Sequence, residues 1–137
     1  MVDLTAESES LCFLDTYSGY HQITLNEFDQ LVTAFITPFG CFCYVKMSFG
    51  LKNAGATYQR CMHAFLRAQI GHNLEVYIVD IVVKSKKTSN FIADLEETFT
   101  NIRRFNIKLN PEKCVFGVPK GKLLGFIISE RGIQANP

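Results

Sequence analysis

The chain is organised around the stretch Val76-Tyr77-Ile78-Val79-Asp80-Ile81-Val82-Val83-Lys84-Ser85. Its β-branched and aromatic residues favour two short strands, which flank a central dipeptide with one carboxylate. Because a short acidic side chain tolerates unusual backbone angles, Asp80 is expected in the turn. The stretch therefore predicts a tight β-hairpin with Asp80 at its tip. On the hairpin alone, Asp80 could be no more than a turn residue.

The composition is that of one globular domain. The chain has 137 residues, of which 47% are hydrophobic and 20% charged, and its formal net charge is +1. This length is enough for a hydrophobic core, and the composition excludes a disordered protein. With so little net charge, any contact with nucleic acid is expected from local patches. Lys84, Lys86 and Lys87 are one candidate patch, although such a run is more typical of a solvated surface.

The cysteines and the N-terminus predict an intracellular, soluble protein. The five cysteines are odd in number and form no C-x-x-C pair, so we expect buried thiols in a reducing compartment. Cys41 and Cys43 would share one face of a strand, which leaves a metal or a disulfide partner open. Acidic residues in 1–10 argue against a signal peptide, and no apolar run approaches the roughly 20 residues of a membrane span.

A second carboxylate, Asp15, directly follows the apolar run Leu11-Cys12-Phe13-Leu14. The apolar run predicts a buried strand. A carboxylate at the end of such a strand costs several kcal/mol unless another group pairs with it or binds it. Asp15 is therefore the second candidate for a functional role.

The remaining patterns predict further strands at 32–37, 41–47, 107–109, 114–118 and 122–129. Helices are predicted over 54–70, where apolar residues recur every three or four positions before Gly71, and over 91–105. This order of strands, helix, hairpin, helix and strands indicates an α+β fold. We expect an antiparallel sheet with two helices on one face.

Several motifs together resemble the reverse transcriptase of gypsy-like LTR retrotransposons, in the form found in plant genomes. These motifs follow the family's order and spacing over nearly the whole chain. Besides the hairpin, the motifs are Phe13-Leu14-Asp15-Thr16-Tyr17-Ser18-Gly19-Tyr20-His21-Gln22-Ile23, Thr33-Ala34-Phe35, Phe49-Gly50-Leu51-Lys52-Asn53-Ala54-Gly55-Ala56-Thr57-Tyr58-Gln59-Arg60, Leu109-Asn110-Pro111-Glu112-Lys113-Cys114-Val115-Phe116-Gly117 and Leu124-Gly125-Phe126-Ile127-Ile128-Ser129. The resemblance implies a ferredoxin-like or RRM-like palm sheet backed by two helices, with part of the fingers. It also implies a single domain over 1–137, without a thumb, that is a fragment of a larger polyprotein.

The resemblance implies RNA-directed DNA polymerisation, in which two Mg²⁺ ions assist nucleotidyl transfer onto a primer 3′ end. In the family, acids on two elements hold these ions, and the matching positions are Asp15 and a Tyr-x-Asp-Asp hairpin at 77–80. Asp15 and Asp80 are thus the implied catalytic residues and metal ligands. The implied partners are an RNA or DNA template-primer, a deoxynucleoside triphosphate and the missing fingers, thumb and RNase H segments, and no membrane.

Three further parts of the chain match residues that contact nucleotide or primer. Tyr20 matches the residue that lies under the incoming sugar and excludes a ribose 2′-hydroxyl, with an ordinary sheet tyrosine as the alternative. Phe49 and Gly50 match a loop beside the nucleotide and template, with a plain helix-entry turn as the alternative. Leu124-Gly125-Phe126 matches the hairpin that holds the primer end, with core packing as the alternative.

Three departures from the family pattern bear on activity. Val79 replaces the first Asp of the Tyr-x-Asp-Asp hairpin, a principal ligand of both ions in the family, while Val32 replaces a common lysine and Ser48 a common proline. Because of the missing ligand, we expect at most one weakly bound Mg²⁺ and an inactive chain. The resemblance separately implies a location in cytoplasmic virus-like particles or in the nucleus. The alternatives are a non-catalytic nucleic-acid-binding module, whose sheet would expose aromatic side chains, and a decayed retroelement remnant.

Overall fold

The computed structural model describes residues 8–123, 125–129 and 132–135. Its helices are α1 (Glu27–Val32), α2 (Ala54–Phe65) and α3 (Phe91–Arg104), with short 3₁₀ helices at Gly19–Gln22 and Thr88–Asn90. Its strands are β1 (Ser10–Asp15), β2 (Phe35–Thr37), β3 (Gly40–Phe42), β4 (Leu74–Tyr77), β5 (Asp80–Ser85), β6 (Val115–Val118), β7 (Lys120–Leu123), β8 (Phe126–Ser129) and β9 (Gly132–Ala135). Within the described part of the chain, no helix qualifies as a membrane span.

The main sheet is antiparallel and has the strand order β4-β5-β1-β6. β1 pairs with β5 along its whole length, from Ser10 opposite Ser85 to Asp15 opposite Asp80. β4 and β5 form the predicted hairpin, in which Tyr77 lies opposite Asp80. Because directly opposite residues share a face of the sheet, Tyr77, Asp80 and Asp15 form one row at its end.

Helices α2 and α3 cover one face of this sheet. The buried cluster between the helices and the strands includes Cys12, Leu14, Tyr58, Met62, Leu66, Leu74, Val76, Ile81, Val83 and Ile102. Full burial of one large aliphatic side chain contributes about 1.5–3 kcal/mol, so this layer is the main source of stability. The predicted α+β architecture, an antiparallel sheet with two helices on one face, is confirmed.

The opposite face is partly covered by a second antiparallel sheet, β7-β8-β9. Leu11 and Val82 of the main sheet are fully buried with Ile128 of β8, and Phe13 packs against them. Gly121 of β7 lies directly on Phe13, because a Cβ atom at this position would come within 2.0 Å of the ring. The two sheets therefore meet closely at one point and leave a cleft beside it.

The hairpin turn differs from the prediction by one residue. Tyr77 and Asp80 still pair, so the turn consists of Ile78 and Val79, and Asp80 is the first residue of β5 rather than the tip. In this turn Ile78 adopts a left-handed backbone conformation, with φ 51°, which is sterically costly for a β-branched residue. Ile78 and Val79 pack against the helix-side core, which offsets part of this cost.

The predicted strand at 32–37 is shorter than expected because a helix precedes it, and only Phe35–Thr37 is extended. Helix α1 begins after Asn26, whose side chain accepts a hydrogen bond from the Phe28 N–H. Acidic residues in the first turn of α1 also favour the helix through its dipole. In the sequence, the β-branched residues of 32–37 favour a strand, so the N-cap at Asn26 does not by itself predict the helix. The predicted strand at 107–109 contributes only a single bridge, between Thr16 and Leu109.

Helix α2 ends at Phe65, although the apolar pattern predicts helix to residue 70. Gln69 is fully buried, and its side-chain amide donates to Thr98 of α3 at 3.0 Å and to Asn73 at 3.1 Å. Asn101 of α3 donates to the Gln69 carbonyl oxygen at 2.8 Å. These hydrogen bonds hold the chain after α2 in turns rather than in helix. The end of α2 therefore depends on residues of α3 about thirty positions away in the sequence.

Two surface expectations are wrong. Lys84 is not solvated: it is 8% exposed, and its ammonium group donates to Glu75 at 2.8 Å within the sheet. Cys12 is buried as expected, but Cys41 and Cys43 are exposed free thiols. Their hairpin, β2-β3, is a separate two-stranded sheet with little core of its own, so its side chains stay accessible.

The isolated chain is expected to self-associate. Apolar side chains of α1 and β2-β3 are strongly exposed, among them Val32 (85%), Ile36 (89%) and Phe39 (92%). An apolar patch of several hundred Å² favours association. Size-exclusion chromatography at rising concentration should show oligomers, and Ile36→Lys with Phe39→Lys should reduce them. A wild-type chain that elutes as a clean monomer at high concentration would contradict this expectation.

Candidate active site

Asp15 and Asp80 occupy the ends of two central strands. Asp15 is the last residue of β1, Asp80 is the first of β5, and the two are direct partners in the antiparallel ladder. Such partners have Cβ atoms about 4.5–5.5 Å apart on the same face. A slip of one residue would move Cys12 and Leu14 out of the core, so burial on the helix side fixes this register. The expectation of neighbouring strand ends is confirmed.

The acid pair lies in the cleft between the two sheets, which has a volume of about 470 Å³. Besides the two acids, Phe13, Lys113 and Lys122 are among its lining residues. The cleft thus places carboxylates and ammonium groups around one space. Carboxylates suit a hard cation and ammonium groups suit phosphate, so this chemistry fits a phosphate ester bound together with a metal ion.

The charge of Asp80 is destabilised by its surroundings. Burial and, secondarily, the charge of Asp15 raise the pKa of Asp80 above its ordinary value. The folded protein therefore holds Asp80 ionised only at a cost in stability. A divalent cation between the carboxylates would remove that cost, because it is the larger local charge.

The segment after α3 fixes the backbone of Asp15 from both sides. The Asp15 N–H donates to the Cys114 sulfur at 3.5 Å, and the Asn110 N–H donates to the Asp15 carbonyl oxygen at 2.9 Å. The Asn110 carbonyl also accepts from the N–H groups of Lys113 and Cys114, which closes this segment into a turn. The motif at 109–117 contains these residues, but the sequence predicts no role for them, since the contact between Asp15 and Cys114 spans 99 positions.

Tyr20 and Phe49 are brought together beside α2. Their ring centroids are 5.3 Å apart, and the His21 ring lies 5.2 Å from Phe49. Tyr20 belongs to the 3₁₀ helix Gly19–Gln22, so the alternative of an ordinary sheet tyrosine is wrong. Gly50 has φ 89°, a conformation that favours glycine, and Phe49 is 69% exposed. The loop therefore presents an aromatic ring to solvent next to Tyr20.

The described part of the predicted primer-contact segment, Gly125 and Phe126, lies between β7 and β8 and at the start of β8. Gly125 has φ 80°, and Phe126 pairs with Leu123 and is partly exposed. Leu124 lies outside the described residues. The turn belongs to the same strand pair whose Gly121 and Lys122 line the cleft.

The residues at the acid pair fit one divalent ion better than two. Asp15 and Asp80 supply carboxylate oxygens, which are the ligands that hard cations prefer. Val79 supplies none, and its side chain packs against the helix-side core. Among the described residues, no group of three or more His, Cys, Asp or Glu could hold a metal ion. The donor set is thus smaller than a two-ion centre requires.

The chain matches known proteins along most of its length. The family described as "Reverse transcriptase (RNA-dependent DNA polymerase)" matches residues 1–128. The retrovirus-related Pol polyproteins of transposons 297 and gypsy, from Drosophila melanogaster, are 37% and 34% identical over 124 residues, which are 90% of this chain and 12% of each polyprotein. The transposon Tf2-3 polyprotein of Schizosaccharomyces pombe is 30% identical over 119 residues, 87% of this chain and 9% of that polyprotein.

Solved structures share the fold at lower identity. The foamy viral protease-reverse transcriptase in complex with an RNA/DNA hybrid superimposes with a TM-score of 0.85 at 20% identity, over 96% of this chain and 18% of that chain. The same viral protein in complex with dsDNA gives a TM-score of 0.83 over 96% of this chain and 28% of that one. The chain therefore corresponds to a small part of much longer proteins.

Removal of the Asp80 charge is expected to stabilise the metal-free protein. Because the folded-state pKa of Asp80 is raised, the folded state binds the proton more tightly than the unfolded state, so stability falls as the pH rises through this pKa. Asp80→Asn should therefore melt above wild type at pH 7 in EDTA, and the difference should vanish below the ordinary pKa of 3.8. Differential scanning calorimetry from pH 3 to 7 measures the difference in melting temperature between Asp80→Asn and wild type.

The exposed acid Glu96 on α3 provides the matched control, Glu96→Gln. A melting-temperature gain for Asp80→Asn that does not depend on pH would show that packing, rather than charge, explains the effect.

Proposed function

The chain belongs to the reverse transcriptase family, and we propose that it forms the palm, with part of the fingers, of an RNA-directed DNA polymerase from a gypsy-like LTR retrotransposon polyprotein. The observation that carries this proposal is the register of β1 and β5, which sets Asp15 against Asp80 at the cleft. Nucleotidyl transfer onto a primer 3′ end needs acids from separate elements that converge on divalent metal. This register supplies that convergence.

The proposed roles at the acid pair follow from its chemistry. Asp15 and Asp80 would hold the divalent metal ion that the family uses, proposed to be Mg²⁺, and the ion would neutralise charge on the reacting phosphate. The turn around Asn110 and Cys114 would keep Asp15 in place during the reaction. Lys113, which lines the cleft, would contact phosphate oxygens as a mobile positive charge.

The proposed nucleotide and primer positions surround the cleft. Tyr20, with Phe49 and Gly50 beside it, would contact the sugar of a deoxynucleoside triphosphate and exclude a 2′-hydroxyl. Gly125 and Phe126, together with Leu124, would hold the primer end of an RNA or DNA template-primer. The support is the aromatic contact between Tyr20 and Phe49 and the attachment of the β7-β8 turn to the cleft.

We also propose that the chain as written does not polymerise DNA. Two Mg²⁺ ions carry four positive charges, which three carboxylates and a triphosphate balance in the family. With Val79 only Asp15 and Asp80 remain, and an isopropyl group can neither bridge ions nor replace an oxygen ligand. At most one ion, weakly held, is then expected at the pair.

The setting of the chain is part of the same proposal. The source retrotransposon would be of the plant type that the resemblance of the quoted motifs implies. The chain would be a single domain that works with further fingers, thumb and RNase H segments of a polyprotein, which its small share of the relatives supports. Its place would be the virus-like particle in the cytoplasm, or the nucleus.

A nucleic-acid-binding module of the RRM type fits the structure less well. Such modules stack bases on aromatic side chains in the middle of an open sheet face. In this chain the middle of that face carries Leu11 and Val82, which are fully buried with Ile128 of the second sheet. The open part of this face is the end with Asp15 and Asp80. Their carboxylates repel a phosphate backbone unless a cation is bound. A decayed retroelement remnant is compatible with Val79, and a test of activity separates it from a working enzyme.

Restoring the lost acid should restore activity only in a complete polymerase. We expect Val79→Asp to raise primer extension by about a thousandfold, if the missing charge stabilisation is worth roughly 4 kcal/mol. The assay places this segment in a full-length relative and measures extension of a primed RNA template with Mg²⁺. Val79→Asn, which has nearly the same shape as Asp but no charge, serves as the control.

Two results would contradict the account. One is a Val79 enzyme that extends primer about as fast as the Asp form. The other is an Asp15→Asn variant in the Val79→Asp background that keeps its activity, because Asp15 is proposed to hold the metal.

A further inference from the structure

Tyr58 in α2 is a buried residue that lies outside the proposed catalytic and nucleotide-binding positions. Its side chain is 2% exposed, and its hydroxyl shares a hydrogen bond of 2.7 Å with the hydroxyl of Thr16, which is 4% exposed. Thr16 directly follows Asp15 in the chain. One hydrogen bond between buried hydroxyls therefore ties the helix layer to the strand end that carries a candidate catalytic acid.

The ring of Tyr58 supports Tyr20. The two ring centroids are 5.4 Å apart with an interplanar angle of 58°, and Phe49 lies on Tyr20 at 5.3 Å. These separations are typical of favourable aromatic pairs. The rings thus form a row from the core, through Tyr20, to the exposed Phe49.

The backbone closes tightly around this hydroxyl pair. A Cβ atom at Gly19 would come within 2.6 Å of the Thr16 hydroxyl and 2.7 Å of the Tyr58 hydroxyl, and one at Gly55 would lie 3.2 Å from the Tyr20 hydroxyl. Both glycines therefore leave room for hydroxyls that a side chain would displace. With so little free space, the orientation of Tyr58 restricts the positions open to Tyr20.

Tyr58 also lies in the electrostatic field of Asp15. Burial raises the pKa of Tyr58 above its ordinary value, the bond to Thr16 lowers it, and the charge of Asp15 raises it further. The phenol therefore stays neutral at physiological pH, and either hydroxyl can donate in the bond that it shares with Thr16. The contact is a neutral hydrogen bond, which depends on geometry rather than on charge.

We propose that Tyr58 is a positioning residue that couples Asp15 to Tyr20: its hydroxyl fixes the end of β1, and its ring fixes the ring that would contact the sugar. This inference rests on the proposed function, in which Tyr20 excludes a 2′-hydroxyl. It assigns discrimination between deoxyribonucleotides and ribonucleotides partly to a side chain buried behind Tyr20. A change of one oxygen atom in the core would then change selectivity at the cleft.

The coupling is tested in the 137-residue chain with two nearly isosteric changes, Tyr58→Phe and Thr16→Val. NMR of protein with ¹³C-labelled tyrosine rings reports the Tyr20 ring, and ¹⁵N labelling reports the Asp15 amide. We expect Thr16→Val to shift the Tyr20 ring signals and Tyr58→Phe to shift the Asp15 amide signal, because neither reporter adjoins the changed residue in the chain. The double variant should shift these two signals no further. Tyr44→Phe, at a half-exposed tyrosine, is the control.

A purely structural role would give a different result. Loss of a buried hydrogen bond lowers the melting temperature in either case. Without coupling, however, the Tyr20 ring would keep its wild-type signals in Thr16→Val, and the Asp15 amide would keep its wild-type signal in Tyr58→Phe, well below that temperature. Unchanged signals in Tyr58→Phe would overturn the proposal.

Selectivity is tested by titration of the same variants with dGTP and with GTP in the presence of Mg²⁺. The wild-type preference for dGTP should fall by about fivefold in Tyr58→Phe, the factor that one net hydrogen bond supplies. An unchanged preference would overturn the assigned role in selectivity. If wild type binds neither nucleotide, the role in selectivity fails, whereas shifted ring and amide signals would still establish the coupling. The proposed function has its own test, primer extension in the full-length relative.

Discussion

The antiparallel ladder between β1 and β5 holds two like charges opposite each other, and the rest of the structure depends on this constraint. The ladder is fixed by burial on its helix side, where Cys12 and Leu14 of β1 and Ile81 and Val83 of β5 are in the core. The same alternation leaves Asp15 and Asp80 together on the other face. A hydrophobic core therefore determines where the charges lie, and a shift that separated them would expose that core.

The surroundings keep the two acids in place despite their repulsion. The turn at 109–114 binds the backbone of Asp15 on both sides, and Tyr58 anchors the following residue, Thr16. Positions with this much support are typical of sites where geometry matters more than stability. Val79 adds no further charge at this end of the sheet, and its side chain packs on the core. Under the proposed function, the chain would keep the support for the site with one metal ligand fewer than the family pattern.

The sequence predicts those parts of the structure that depend on local patterns. The strand before Asp15, the hairpin and the second long helix follow from residue type and periodicity, and the two acids stand out because carboxylates rarely end apolar strands. The turn position could not be predicted, because it depends on the pairing of Tyr77 with Asp80 and leaves Ile78 in an unfavourable conformation. Helix α1 was hidden by the β-branched residues that follow it.

Contacts between distant residues account for the other differences. The end of α2 depends on bonds from Gln69 to α3, and the burial of Lys84 depends on Glu75 in the neighbouring strand. Tyr58 and Cys114 act on the acid end of β1 across 42 and 99 positions, so no pattern within one segment reveals them. The candidate site was therefore predictable in its acids and aromatic loop, but not in the residues that hold them.

The central claim is that Asp15 and Asp80 together form a single divalent cation site. Crystals of the chain soaked in Mn²⁺ test it most directly, because anomalous scattering locates the ion without any assay of activity. The account predicts one anomalous peak within coordination distance of both carboxylates, which is lost in Asp80→Asn. A peak elsewhere with none at the pair, or two ions bound side by side there despite Val79, would contradict it.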